Sequence, residues 1–153
     1  MHICFSAGAY PTKDKPYASF VASLCEQFAL LGHRITVVCP QSVTKSFLRR
    51  QSLDPYYTKI EKGQGFIEIY RPRSFTCGES RLLGRFTLLA NRLAVNRLLR
   101  KIIMSGVFYP HFWTSAYNVM FSAKRLNRPL FVATGEDVIT IQKYLTKREL
   151  LLL

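Results

Sequence analysis

The chain opens on a strand, a short loop, a helix and a second strand, and this unit restricts its fold more than any other feature. Residues 2–6 predict a buried strand, residues 17–31 an amphipathic helix and residues 35–39 a second strand. A helix that joins two strands through short loops is typical of a right-handed crossover in a parallel sheet. Ligands of such sheets bind in the crevice at the carboxyl ends of the strands. We therefore expect the functional site to lie in the loop that follows Ser6.

The remaining residues continue this alternation. Strands are predicted at residues 66–70, 107–109 and 130–133, and helices at residues 81–105, 115–126 and 138–153. Five strands that alternate with helices indicate an α/β fold with a doubly wound parallel sheet, in the strand order 3-2-1-4-5. Residues 41–62 are polar and predict only a short helix near residues 42–51. The length of 153 residues fits about one domain.

The first helix carries two signals of its own. A stripe of four apolar residues recurs at steps of three and four, at Phe20, Leu24, Phe28 and Leu31. We expect this stripe to pack on the sheet. Gly32 follows the stripe directly, as glycine does in the common helix C-cap, so we expect the helix to end there.

The chain is strongly basic. It has 22 Lys and Arg against 9 Asp and Glu, which gives a formal net charge of +13. Such a charge favours polyanionic partners, which are phosphorylated ligands, nucleic acid or an anionic membrane surface. At 100° per residue, Arg81, Arg85 and Arg92 lie within about 40° of one another on the predicted long helix. This basic ridge is either a solvated helix face or a surface that contacts membrane or other phosphate groups.

Several motifs that would indicate other chemistry are missing from the sequence. The four cysteines have no CxxC spacing, and His and Cys form no zinc-binding cluster, which predicts free thiols and no metal. GxGxxG and Walker A are absent, which argues against a dinucleotide cofactor or a P-loop. The sequence shows neither a signal peptide nor an apolar run near the roughly 20 residues that cross a bilayer. We therefore expect a cytoplasmic protein, with peripheral contact to the inner membrane face as its form of membrane association.

Three separated segments resemble one enzyme family. Tyr10-Pro11 and residues 32–38 (GHRITVV) lie in the first crossover, residues 110–116 (PHFWTSA) follow the fourth strand, and residues 129–136 (PLFVATGE) span the fifth. Together they resemble the amino-terminal domain of GT-B glycosyltransferases of the family-four type. The segments agree with that family in their order and in their position relative to the strands. The resemblance implies a Rossmann-like domain that is one half of a GT-B fold.

The resemblance also implies site residues at the strand ends. Catalytic roles are implied for His111 and Glu136, and acceptor binding is implied for Gly8, Tyr10, Trp113 and Gly135. A His at a strand end can donate to a sugar hydroxyl or a phosphate oxygen, and a neighbouring aromatic ring offers an apolar face to a sugar.

Each of these motifs also has a purely structural interpretation. His33 is then part of the helix cap and the sheet edge, and His111 is a capping residue whose aromatic neighbours belong to the core. Asp137 caps the following helix, whereas the role of Glu136 stays open between helix capping, acceptor binding and base chemistry.

The activity implied by the resemblance is a retaining, metal-independent transfer of a sugar from a nucleotide-sugar to a glycan or lipid-linked acceptor. In that family a second domain holds the donor. We therefore expect residues 1–153 to form a single, incomplete domain that is inactive alone, as a truncated product, a fragment or half of a split enzyme. A separate polypeptide with the donor domain is an expected partner, and no cofactor is expected beyond the nucleotide-sugar bound with that domain.

Two other hypotheses remain open. The chain can be a non-catalytic, basic Rossmann-like module that binds nucleotides or nucleic acid, although no RNA-binding aromatic signature occurs and the aromatic residues are not interleaved with arginines. The isolated chain can also be unstable, because further strands of the family are missing and a parallel edge would be exposed.

Overall fold

The computed structural model of the chain describes residues 1–12, 18–77, 80–102 and 106–133. Its elements in chain order are β1 (His2–Ser6), α1 (Ser19–Leu30), β2 (Arg34–Val38), β3 (Gln41–Ser42), α2 (Val43–Leu48), β4 (Tyr57–Lys62), β5 (Gly65–Tyr70), β6 (Arg73–Ser74), α3 (Arg81–Leu99), β7 (Val107–Pro110) and α4 (Trp113–Arg125). The opening unit of strand, loop, helix and strand is confirmed.

Five strands form the central sheet, in the order β4-β5-β2-β1-β7. β5, β2, β1 and β7 are parallel neighbours. Leu130 and Ala133 lie beyond β7 and form parallel bridges with Phe108 and His111. The predicted order 3-2-1-4-5 is therefore confirmed for the parallel strands. A second, two-stranded parallel sheet joins β3 and β6.

The edge strand β4 is not predicted by the sequence pattern. It pairs antiparallel to β5 through a tight hairpin in which Gly63 has a φ of 58°. Ile60 is its apolar contact with the core, while Lys59 and Glu61 are exposed and form an ion pair of 2.9 Å. Charged side chains on an edge strand discourage pairing with other chains. Because of the same charged residues, the sequence lacks the apolar pattern by which a strand is predicted.

Helices cover both faces of the sheet, so the doubly wound architecture is confirmed and the fold is a Rossmann-like α/β fold. One face carries Ile3, Phe5, Ile35, Val37, Ile67 and Ile69, and these residues pack with α1. The other face carries Cys4, Val38 and Phe108, which pack with Val95 and Leu98 of α3 and with Val119 and Ala123 of α4. The alternation follows from the period of two in a strand. Each fully buried large apolar side chain contributes about 1.5–3 kcal/mol to stability.

The stripe predicted on α1 is wrong in its orientation. The buried residues of the helix are Val21, Cys25 and Ala29, whereas Phe20 and Leu31 are exposed. The reason is steric, because α1 lies so close to β5 that a Cβ at Gly65 would overlap the backbone of Ala29. Only small side chains fit between this helix and the sheet. Leu24 and Phe28 pack at the margin of the contact.

The end of α1 is the glycine cap that the sequence predicts. Gly32 has a φ of 80°, and its N–H donates to the Ala29 carbonyl at 2.9 Å. The N–H of His33 donates to the Phe28 carbonyl at 3.1 Å. These two hydrogen bonds form a Schellman motif. The cap therefore accounts for the backbone of His33, and its side chain lies 3.4 Å from the amino terminus through Nδ1.

Other boundaries shift by a few residues. α3 ends at Leu99, earlier than the predicted residue 105, and α4 begins at Trp113, earlier than the predicted residue 115. The short helix predicted near residues 42–51 is confirmed as α2. The helix predicted at residues 138–153 lies outside the described residues.

Candidate functional site

The parallel strands end side by side, and the loops that follow them surround two adjoining cavities. The smaller cavity has a volume of about 110 Å³ and is lined by Gly8, Ala9, Tyr10, Cys39, Pro40, Gln41, Asp54 and Arg71. The larger one, an open cleft of about 420 Å³, shares Gly8, Pro40 and Gln41 with it. Both cavities lie at the sheet edge where the sequence predicts the site.

Tyr10 lines the smaller cavity. The residue is 8% exposed, and its buried hydroxyl has no hydrogen-bond partner among the described residues. Burial raises the pKa of this phenol, so it stays protonated. A buried hydroxyl without a partner costs about 1–3 kcal/mol unless a water or ligand supplies one. A cavity of about 110 Å³ is large enough for a water.

Arg71 brings a positive charge to the same cavity. It is 4% exposed and follows the last residue of β5. Its Nη1 donates to Thr58 Oγ1 at 3.1 Å and to the Pro55 carbonyl at 3.4 Å. A buried guanidinium has five donors and favours carboxylate or phosphate oxygens. Its position beside Tyr10 suits a ligand with an oxygen-rich or anionic group.

A network of hydrogen bonds among polar side chains lies where the two cavities adjoin. The Gln41 side chain donates through Nε2 to Asp54 Oδ2 at 2.9 Å and accepts from Arg73 Nη1. Arg73 also donates through Nη2 to the Asp54 carbonyl at 2.7 Å. The network ties β3 and β6 to the loop before β4. It fixes the orientation of Gln41, which lines both cavities.

The larger cleft is lined by polar side chains from three elements. Helix α2 and its C-cap contribute Lys45, Ser46 and Arg49, the segment at β6 contributes Ser74 and Thr76, and α3 contributes Thr87 and Asn91. Hydrogen bonds connect these elements, including Ser74 Oγ to Asn91 Oδ1 at 2.6 Å and the Cys77 N–H to Thr87 Oγ1 at 3.0 Å. Hydroxyls and amides beside two cations can bind a sugar that carries a negative charge.

Gly8 lies where the two cavities meet. A Cβ built on it would have no heavy atom of the described residues within 4 Å, its chain neighbours aside. Its φ lies outside the left-handed range. The predicted acceptor-binding residues Gly8 and Tyr10 are therefore brought together at the cavities.

His111 lies one strand away, at the end of β7. Its N–H donates to the Ser6 carbonyl at 2.8 Å, and its ring centroid lies 4.6 Å from that of Phe20 and 4.0 Å from that of Phe112. Trp113 begins α4. Neither His111 nor Trp113 lines either of the two cavities. Their predicted catalytic and acceptor-binding roles stay predictions.

Phe112 has an unusual backbone beside this histidine. Its φ of 71° and ψ of 158° lie in a region that glycine normally occupies. Such strain costs about 1–3 kcal/mol and tends to occur at functional sites. The neighbouring hydrogen bond from the Phe112 N–H to the Ala133 carbonyl, at 3.0 Å, holds the turn in place. The strained turn marks the end of β7 as a second region of functional interest.

The remaining predicted site residues are only partly described. Gly135 and Glu136, together with Asp137, lie outside the described residues. In the predicted ridge, Arg81 begins α3 but its side chain lies outside the described part, and Arg85 is exposed. Arg92 is half-buried, donates to the Tyr117 hydroxyl at 3.0 Å and stacks over the rings of Tyr117 and Phe121. Phosphate contact by the ridge stays a prediction.

Sequence reasoning misses Arg71 in the smaller cavity and Lys45, Arg49, Thr87 and Asn91 in the larger cleft. Arg71 follows the third predicted strand directly, which is the signal that would have placed it at the site edge. The others gave no signal, because a two-stranded sheet and a six-residue helix bring them together.

One of the four thiols, that of Cys39, belongs to a residue that lines the smaller cavity. Cys4, Cys25 and Cys39 are buried and Cys77 is exposed, all as free thiols. Among the described residues, no group of three or more His, Cys, Asp or Glu could hold a metal ion. No helix in the described part of the chain is long and apolar enough to cross a membrane.

No protein family and no curated protein matches the sequence. A solved structure from E. coli, described as trehalose-6-phosphate bound with UDP-2-fluoro glucose, is similar to this chain with 12% sequence identity and a TM-score of 0.49. The similarity covers 86% of this chain and 32% of that chain. This chain therefore spans about a third of the length of that structure, and a similarity at this level says nothing about activity.

Proposed function

We propose that this chain is the acceptor-side domain of a glycosyltransferase. The observation that carries the proposal is a cavity at the carboxyl edge of the sheet that is lined both by the buried Arg71 and by Tyr10, whose buried hydroxyl has no hydrogen-bond partner among the described residues. The resemblance of the strand-end segments to GT-B enzymes supports the same assignment. A hydroxyl-rich acceptor would satisfy Tyr10, and its anionic part would lie toward Lys45 and Arg49 in the larger cleft.

The acceptor domain binds and orients one hydroxyl for attack. In the transfer, the acceptor oxygen forms a bond to the anomeric carbon of the donor while the bond from that carbon to the donor phosphate breaks. The nucleoside diphosphate leaves, and the acceptor proton ends on its phosphate oxygen. A second domain outside residues 1–153 would bind the nucleotide-sugar, because developing phosphate charge needs preorganised cations.

His111 is proposed to act at the same transfer from the side of β7. Its backbone is held by Ser6 and by the strained turn at Phe112. An imidazole at this edge can donate a hydrogen bond to a sugar hydroxyl or a phosphate oxygen. Glu136 is proposed to bind an acceptor hydroxyl.

The test is an NMR titration of the isotopically labelled chain. Binding is detected as changes in the amide chemical shifts. The probes are glucose, glucose 6-phosphate, UDP-glucose and a short single-stranded RNA. We expect glucose 6-phosphate to shift the amides of Gly8, Gln41 and Thr87 more than glucose does, because Lys45 and Arg49 favour its phosphate. UDP-glucose should cause no larger shift than glucose 6-phosphate.

A matched pair of variants isolates the charge contribution. The Lys45→Gln/Arg49→Gln variant should abolish the preference for glucose 6-phosphate over glucose. The Lys124→Gln/Arg125→Gln variant removes two cations from the last turn of α4 and should keep that preference. Shifts caused by RNA or UDP-glucose, without any response to either sugar, would contradict the proposal and favour a basic module for nucleotides or nucleic acid.

A further inference from the structure

The outward face of α3 exposes large apolar side chains. Leu82, Phe86 and Leu93 are 65%, 53% and 59% exposed. Spacings of four and seven residues bring them within about 40° of one another around the helix axis. Val95 and Leu98 lie on the opposite side of the helix and pack in the core. The three exposed residues form a continuous apolar surface, which we call the α3 stripe.

Arginines border the α3 stripe on both sides. Arg85 and Arg97 are exposed, and at 100° per residue they lie on opposite sides of the line from Leu82 to Leu93. The sequence has no Asp or Glu from residue 80 to residue 102. Apolar residues flanked by arginines, without acids, are typical of helices that lie in the plane of a membrane interface.

Helix α2 shows the same composition on the other wall of the larger cleft. Phe47 and Leu48 are 82% and 77% exposed, and the exposed Arg49 and Arg50 follow them directly. Exposed apolar residues beside cations therefore recur at both helices that line the cleft. Exposed apolar patches on a folded protein mark sites that bind another protein, a membrane or a ligand.

Charge decides which partner fits this surface. A second copy of the chain would bring Arg85 and Arg97 of both copies together, and each copy carries a net charge of +13. An anionic bilayer instead offers phosphates to the arginines and acyl chains to the stripe. Each cation near such a surface contributes about 1 kcal/mol. The arginines that border the α3 stripe are not those of the predicted ridge, because Arg92 of that ridge contacts Tyr117 of α4.

We propose that the α3 stripe docks this protein on the surface of an anionic lipid bilayer. Leu82, Phe86 and Leu93 enter the boundary between headgroups and acyl chains, and Arg85 and Arg97 contact lipid phosphates. This docking does not depend on glycosyl transfer, and either proposal can fail without the other.

Vesicle binding of the full chain tests the docking. The probes are vesicles of phosphatidylglycerol and phosphatidylcholine in equal parts, and vesicles of phosphatidylcholine alone. We expect binding to the anionic vesicles, at least about tenfold weaker binding to the neutral ones, and a decrease with added salt. The Leu82→Gln/Phe86→Gln/Leu93→Gln variant should lose at least about tenfold in partition.

The matched control has the same composition of substitutions elsewhere. Leu30, Leu31 and Phe131 are also exposed, and the Leu30→Gln/Leu31→Gln/Phe131→Gln variant should bind anionic vesicles like the wild type. Replacing Arg85 and Arg97 by Gln should weaken binding about fivefold per arginine. This second variant leaves the apolar residues in place and keeps the proposal testable should the triple variant unfold.

Three results would overturn the proposal. The first is equal vesicle binding by the wild type and the stripe variant. The second is equal binding of the wild type to neutral and anionic vesicles. The third is a wild-type dimer in sedimentation that the stripe variant dissociates, since a second copy would then cover the stripe.

Discussion

The two ends of the same parallel strands differ sharply in how they are packed. At the amino end, a Cβ at Gly106 would overlap the carbonyl oxygen of His2, and Arg34 forms an ion pair with Glu68 at 2.9 Å. At the carboxyl end, a Cβ at Gly8 would have no heavy atom within 4 Å in the part of the chain that the structure describes, its chain neighbours aside. One end is closed by backbone contact and paired charges, and the other is open.

This difference separates stability from binding within one sheet. At the amino end, His2 Nε2 lies 2.9 Å from Thr36 Oγ1, whereas its buried Nδ1 has no hydrogen-bond partner among the described residues. At the carboxyl end, the Tyr10 hydroxyl also has none within the described part of the chain, but Tyr10 lines a cavity. Polar groups that a fold leaves unsatisfied at a cavity are available to a ligand. Substitutions at the closed end should therefore change stability, and substitutions at the open end should change binding.

The largest effect is expected at Gly106. The Gly106→Ala variant places a methyl group on the backbone of His2, which cannot move without disturbing β1. We expect a loss of about 4 kcal/mol or more in the free energy of unfolding, measured by urea titration. Gly8→Ala is the control and should change that free energy by less than about 0.5 kcal/mol. Similar stability of both variants would show that the amino end is not closed as described.

The open end is tested by filling it. The Gly8→Val variant directs two methyl groups into the space between the cavities, at a backbone position that tolerates a side chain. We expect at least about tenfold weaker binding of glucose 6-phosphate, which corresponds to about 1.4 kcal/mol, with unfolding free energy nearly unchanged. Titration calorimetry gives the affinity. Unchanged affinity would mean that the ligand does not bind beside Gly8.

A pH effect is expected from His2 at the closed end. Burial, reinforced by the positive charge of Arg34, lowers the pKa of His2 below its ordinary value of 6.5. The unfolded state therefore takes up this proton first, so stability present above pH 6.5 falls as the pH drops below it. The comparison is the unfolding free energy of the wild type and of His2→Gln at pH 7.5 and 5.5. The variant should lose less stability between these pH values, and an equal loss would refute the assignment to His2.

The smallest effect is expected from the ion pair between Arg34 and Glu68. Arg34 is exposed at the sheet surface, where such pairs contribute about 0.2–1 kcal/mol. Arg34→Gln should reduce the unfolding free energy within that range, and the difference should shrink in 1 M salt. Lys59→Gln, in the more exposed pair with Glu61, should have a still smaller effect. A large effect of Arg34→Gln would mean that its contact with the Phe66 ring dominates.

The central sheet could be predicted because its signals are local. Residues 2–6 and 35–39 are short, mostly apolar runs, and Gly32 ends the helix between them, so the first crossover follows from the sequence. β4 could not be predicted, since its charged side chains reflect an edge position that only the assembled sheet creates. The buried face of α1 depends on the close approach of Gly65, which is also a tertiary property.

The candidate site was predictable in position more than in composition. Gly8 and Tyr10 follow the first strand, where the crossover rule places a ligand. Lys45, Thr87 and Asn91 are distant in sequence and have no common pattern, and pairing of β3 with β6 joins them. The resemblance of three segments to one enzyme family supplies the hypothesis of glycosyl transfer, which the fold accommodates.

The four cysteines give the chain a single point for chemical labelling. Burial raises the pKa of Cys25 and of Cys39 to about 12 and also raises that of Cys4, and a thiol that stays protonated is a poor nucleophile. Cys77 is exposed, and its N–H contacts Thr87 at the wall of the larger cleft. A maleimide dye would therefore attach there in the native protein without prior mutagenesis, and its fluorescence would report directly on changes in solvent at the cleft.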